Sequence, residues 1–121
     1  MFERVRDLNS KISAREESFN IDETLSSIVD YASNNPHLCN NEKLQKNPRD
    51  IAHHAFLECI MFQGSKSFSH LLTVIERYLP LLQKWNDSSE TRFITTKLTY
   101  NFWKSNPQFL EIILGILMKL S

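Results

Sequence analysis

The chain has 121 residues with 14 basic and 14 acidic side chains, a formal net charge of zero, which leaves no overall positive field to draw in RNA, DNA or an anionic membrane. Any nucleic-acid contact would have to be indirect or very local. An apolar content of 41%, with only two glycines and four prolines, excludes a disordered tail and disfavours hairpins; it fits a single domain of helices joined by short polar turns.

Phe2, Val5, Leu8 and Ile12 recur at three- and four-residue steps, which predicts a first helix reaching about Ala14. Its charged start, Glu3-Arg4-Val5-Arg6-Asp7, does not read as a signal peptide, and Cys39 and Cys59 are too few for a disulfide framework, so a reducing compartment is expected. A second helix carries Ile21, Leu25, Ile28, Val29 and Ala32 on one face. Residues 33–47, rich in Asn and broken by Pro36, form the longest polar loop expected.

Asn47-Pro48 reads as an N-cap followed by proline at the first helical position, opening a third helix to about Gln63 with Ile51, Ala52, Ala55, Phe56, Cys59 and Ile60 inward. Gly64 is expected to supply a left-handed stop, and Ser65 or Ser67 the cap of the next helix. That fourth helix places Phe68, Leu71, Leu72, Ile75, Leu79 and Leu82 on one stripe with Trp85 at its end, and Pro80 predicts a kink or break near Arg77. Asp87 with Glu90 predicts the cap of a fifth helix, to about Lys104, with Phe93, Ile94, Leu98, Asn101 and Phe102 inward. Asn106-Pro107 repeats the cap-proline signal and opens a sixth, Pro107 to Leu120, that is apolar on nearly every side.

A helix hydrophobic all round belongs inside a larger assembly, and this one is too short to span a bilayer, which needs about 20 apolar residues. The chain therefore reads as one partial helical-repeat domain, residues 1–121. Six helices in three antiparallel pairs are expected, and such a pair is the unit of an α-solenoid, in which each pair buries its faces against its neighbours.

Chemistry-bearing side chains are sparse. His37, Cys39, His53, His54, Cys59 and His70 lack the spacing of four convergent metal ligands; His53 and His54 are expected to flank the buried stripe and Cys59 to pack as a small hydrophobe. Ser67, Ser69 and His70 sit at a helix start, where serines cap rather than attack. Phosphate-binding glycine loops are absent. Neither a catalytic residue nor a cofactor is expected, so the chain does not read as an enzyme. Trp85, Tyr100, Phe102 and Trp103 suggest a base-stacking platform, but aromatics at helical spacing are ordinarily core. Adjacent Phe102 and Trp103 point about 100° apart and cannot both face one core. Lys66, Arg77, Lys84, Arg92, Lys97 and Lys104 are dispersed and interleaved with acids, the pattern of a solvated face rather than a phosphate track.

The stretch Phe56-Leu57-Glu58-Cys59-Ile60 through Gly64-Ser65-Lys66-Ser67-Phe68-Ser69-His70, followed by Asn101-Phe102-Trp103-Lys104-Ser105-Asn106-Pro107-Gln108, resembles the large subunit of the nuclear cap-binding complex. In that family a Lys-Ser-Phe-Ser-His turn joins two helices, and a Trp-basic-x-x-Pro-Gln element joins the next pair. The likeness runs from about Phe56 to Met118. It implies a HEAT-like α-solenoid of the initiation factor four-G middle-domain type, part of the last of three helical domains, and a chain that is a fragment of a longer protein.

The resemblance also implies a nuclear scaffold, shuttling to the cytoplasm, whose partners are a small RNA-recognition-motif subunit and, through it, capped RNA, together with splicing, export and nonsense-mediated decay factors. No direct cap contact, cofactor or membrane is expected. Trp103, Lys104, Ile113 and Leu117 become the interface candidates, with Lys66, Ser67, Phe68, Ser69, His70, Asn106 and Pro107 as structural turn elements. Phe68, Leu72, Ile75, Phe93, Leu98 and Phe102 are the expected core. A stand-alone helical interaction or oligomerisation module without an RNA role is the competing expectation.

Overall fold

The computed structural model describes residues 2–35 and 47–118, and among them it contains helices and no strand. The helices are α1 (Phe2–Ser13), α2 (Ser18–Ser33), α3 (Pro48–Gln63), α4 (Phe68–Trp85), α5 (Ser89–Trp103) and α6 (Pro107–Met118). Packing follows alternation: α3 lies between α1 and α5, while α4 lies between α2 and α6. Within each antiparallel pair, α1 packs on α2, α3 on α4 and α5 on α6. This is the two-layer stack of an all-α solenoid, in which a helix pair buries itself against the next pair. The expected polar loop over residues 33–47 lies largely outside the described residues, as do His37 and Cys39.

One continuous core runs through all six helices. Leu8 and Ile12 of α1 meet Ile21, Leu25 and Ile28 of α2; Phe56 and Ile60 of α3 meet Leu71, Ile75 and Tyr78 of α4; Ile113 and Leu117 of α6 close the far end. Tyr78 reaches the first pair as well, its hydroxyl donating to the Glu16 carbonyl at 2.8 Å. Asp22 of α2 ties to α4 by accepting from Lys84 Nζ at 2.7 Å and Trp85 Nε1 at 2.9 Å. Burial alone would raise its carboxyl, but the hydrogen bonds from Lys84 and Trp85 outweigh that and hold it below the usual carboxylate range.

Local signals behave as side-chain chemistry requires. Asn47 Oδ1 accepts from the Asp50 N–H at 2.9 Å, with Pro48 opening α3, and Ser67 Oγ accepts from the His70 N–H at 3.1 Å. The cap of α5 is Ser88, one residue after the expected Asp87. Ser88 Oγ accepts from the Thr91 N–H at 3.1 Å while Thr91 Oγ1 accepts from the Ser88 N–H at 2.9 Å, a reciprocal box made with threonine instead of Glu90.

Four expectations require correction. Gly64 is not left-handed: its φ is −90°. It is glycine because a Cβ there would sit 2.5 Å from Leu71 Cδ1 and 2.6 Å from Leu71 Cα, so the α3–α4 turn closes only without a side chain. No break occurs at Pro80, since α4 is one helix from Phe68 to Trp85 and the ring projects to the exposed side. Phe93 and Phe102, expected in the core, are 65% and 40% exposed. Thr91, Ile94, Thr95, Leu98 and Thr99 fill the inward arc of α5 and leave Phe93 outside it, while Phe102 continues that arc at the helix end and lines an open groove with Val5, Cys59 and Phe62. Ile113 and Leu117, expected at an interface, are 0% and 4% exposed and pack inside the chain.

Candidate interaction surface

The two sequence elements that stood out, Lys66 to His70 and Trp103 to Pro107, are brought together in space. Phe68, first residue of α4, stacks on Phe109 in the first turn of α6, with centroids 4.0 Å apart and planes 13° from parallel. Trp103, last residue of α5, presents an edge to each: 6.0 Å and 78° to Phe68, 5.9 Å and 66° to Phe109. Offset stacks and edge-on pairs of this kind add about 0.5–1.5 kcal/mol each beyond area burial. The three rings clasp the α3–α4 turn to the α5–α6 turn. Asn106 supports the clasp by capping α6, accepting from the Phe109 N–H at 3.4 Å and, through its own carbonyl, from the Leu110 N–H at 3.0 Å. Phe68 and Trp103 are half-buried here, whereas Lys66, Ser67, Ser69, Lys104 and Pro107 are exposed around them.

Toward the other end of these helices, where α3 begins and α4 and α6 end, lies a buried polar network whose histidine the sequence places at the flank of the core. His53 is fully buried. Its Nε2 lies 2.9 Å from Thr95 Oγ1, and Thr95 Oγ1 in turn is 3.0 Å from both Asn86 Oδ1 and the Thr91 carbonyl. Asn86 Nδ2 then reaches the Leu117 carbonyl at 3.5 Å. The network joins α3, the end of α4, α5 and α6. Burial, and after it the Arg49 charge, push the His53 imidazole down to about 4, so the ring is neutral at physiological pH. Arg49 bridges the same end of the stack: it lies 4.4 Å above the Trp85 ring, pairs with Asp87 at 2.9 Å and donates to the Lys84 carbonyl at 2.9 Å.

An open groove of about 490 Å³ crosses α1, α3 and α5, lined by Val5, Cys59, Phe62 and Phe102 with Arg6, Asn9 and Glu58 on its rim. Phe62 is 63% exposed. Its position, at the turn end of α3 and one residue before Gln63, carries no sequence signal for exposure. Cys59 packs at the groove floor, 5% exposed, and burial followed by the Glu58 charge pushes its thiol up to about 12, which leaves it unreactive. Ser67 and His70, the nearest approach to a nucleophile and a base, are joined only by the helix cap. Among the described residues, no group of three or more His, Cys, Asp or Glu converges as a metal site. No helix among them is long and apolar enough to cross a membrane.

Comparison with known proteins places these features in context. A family model described as MIF4G like matches residues 1–121. The chain is similar to nuclear cap-binding protein subunit 1 of Xenopus tropicalis, 23% identical over 65% of this chain and 10% of that protein. It is 25% identical to nuclear cap-binding protein subunit 1 of Salmo salar over 53% of this chain and 8% of that protein. It is 34% identical to nuclear cap-binding protein subunit 1 of Oryza sativa subsp. japonica over 46% of this chain and 6% of that protein. The matched region thus spans about a tenth or less of these relatives. No solved structure matches the chain.

Proposed function

Because the chain belongs to the MIF4G-like family, we propose that it is a non-enzymatic scaffold segment of the cap-binding-complex large-subunit type. In this reading it helps hold a small RNA-recognition-motif subunit in its cap-competent state and, through that subunit, capped RNA. It also presents helix faces to splicing, export and nonsense-mediated decay factors, working in the nucleus and shuttling to the cytoplasm. The observation that carries the reading is the shared identity of the relatives, each named nuclear cap-binding protein subunit 1. The geometry is compatible with it: stacked pairs offer extended surfaces for partners. In this reading the interface candidates are Trp103, half-buried in the clasp, exposed Lys104, and Ile112, 41% exposed, instead of the buried Ile113 and Leu117.

The test uses cap-analogue resin. The purified chain is mixed with the recombinant small subunit and applied to the resin, with the chain alone as control. Retention only with the small subunit, and elution by free cap analogue, supports the scaffold reading; flow-through in both cases overturns it. A second reading, a stand-alone interaction or oligomerisation module, is favoured by exposed Phe62 and Phe102 beside the apolar groove. Concentration-dependent mass in light scattering, lost in Phe62→Ser, would put that reading first.

A further inference from the structure

Around α5 the exposed side chains are ordered by chemistry. Phe93, Lys97, Tyr100 and Lys104 follow one another at steps of four, three and four residues, which aligns them within about 60° of arc along about 16 Å of helix. All four are exposed, the two rings by 65% and 52%. They lie on the side opposite Ile94, Thr95 and Leu98, which face the core. The stripe itself carries two cations, Lys97 and Lys104, with the acid Glu90 about 20° around the helix from Lys97 and Arg92 about 80° outside the stripe. A chain of zero net charge therefore carries a locally positive, aromatic face. The lysines look scattered when counted along the sequence; counted around the helix, they alternate with rings.

We propose that this outer face of α5 is a binding stripe for a short run of single-stranded nucleic acid, with bases stacking on Phe93 and Tyr100 and phosphates meeting Lys97 and Lys104. Ring and cation alternate at steps of about 4.5–6 Å along the axis, and only a ligand that offers a flat π face and an anion in each repeating unit uses both. An aromatic platform with interleaved cations is sequence-tolerant, because every base has a π face. A duplex hides those faces, so it gains nothing from the rings. An acidic apolar peptide would be served by the groove at Phe62, where side chains can sink; the α5 face is a bare helix surface and provides stacking without a pocket. Charge complementarity is the argument for this occupant, and it is independent of any cap-binding partner.

The experiment measures fluorescence anisotropy of a labelled, uncapped oligouridylate with the purified chain and no small subunit, so its result stands apart from the cap-resin test. Two phosphate contacts give a salt slope of about −1.4, a loss of about sevenfold between about 50 and 200 mM salt. Phe93→Ala with Tyr100→Ala should weaken binding at least tenfold. Lys97→Ala with Lys104→Ala should remove most of the salt dependence. Arg15→Ala and Phe19→Ala, exposed at the α1–α2 turn and off the stripe, should leave affinity unchanged. Every substituted side chain is exposed, so circular dichroism and Tm should match the parent and binding is read on folded protein. Absence of binding at about 50 mM salt, equal affinity for a duplex, tighter binding of a glutamate- and leucine-rich peptide, or equal loss in the off-stripe controls would each overturn the proposal.

Discussion

The His53 network makes a prediction whose sign is fixed by burial. An unfolded chain exposes this imidazole, which then titrates near its ordinary value of 6.5, while in the folded chain burial holds it near 4. As pH falls below 6.5 the unfolded state takes up a proton that the folded state refuses, so stability present above that pH is progressively lost until the folded ring also protonates. Each pH unit in this window is worth about 1.4 kcal/mol, so the loss is about 2 kcal/mol at pH 5 and saturates at about 3 kcal/mol near pH 4. Urea unfolding of the parent and of His53→Gln across pH 4 to 7.5 isolates the contribution, because all other titrating groups are common to both. Glutamine keeps a hydrogen-bonding partner for Thr95 without titrating. The difference between the two proteins should change by about 3 kcal/mol across the window, with the variant gaining relative stability toward acid. Parallel pH profiles would show that His53 is not desolvated and would remove the physical account of this network.

Three further outcomes follow from particular contacts. Gly64→Ala should destabilise by about 1–3 kcal/mol because its new methyl meets Leu71 Cα at 2.6 Å, lowering Tm by about 4–12 °C; Gly64→Asn should be no better than alanine, whereas a left-handed turn would favour asparagine. Phe68→Ala should cost about 2 kcal/mol, less than the 3–5 typical of a fully buried ring, and should shift the emission of Trp103, which touches Phe68 edge-on; an unchanged Tm would refute the clasp. In a Cys39→Ala background, Cys59 should react with an aromatic disulfide at pH 8 only at the rate of unfolding, since burial pushes its thiol up to about 12; immediate reaction would place it at an open surface.

What the sequence revealed about the fold were features set by local rules. Asn47-Pro48, Ser67 and Asn106-Pro107 mark helix starts because a cap needs only a side-chain oxygen and three neighbouring residues. The 3.6-residue period likewise put Ile21, Leu25 and Ile28 on the buried face of α2. The inward face of α5 was not legible, because three of its five buried residues are threonines. Hydrophobicity assigns the core to Phe93 and Phe102, but a threonine that bonds the carbonyl four residues back, as Thr95 does at 3.0 Å, buries without an unmet hydroxyl. Thr95 is paid for by His53, and that pairing spans 42 residues of sequence. No local window contains both partners, which is why His53 reads as a flank in the sequence and stands at the centre in the fold.

The same inversion decides where α5 can act. A phenylalanine in the core contributes packing and can touch no partner. Displaced from the core by threonine, Phe93 contributes little to packing and is 65% exposed to whatever reaches the helix. Carrying such a ring in water gains no burial energy, and its neighbours Lys97 and Lys104 hold no ion pair among the described residues. The inward face therefore uses small polar residues to meet a buried histidine, while the outward face keeps the rings and cations. That division separates stability from binding on one helix: Thr95→Val should disturb the His53 network and leave the outer stripe intact, and Tyr100→Ala should do the reverse. Measuring unfolding and oligonucleotide affinity on both variants separates the two roles, and a loss of both properties in either one would show that the faces are coupled.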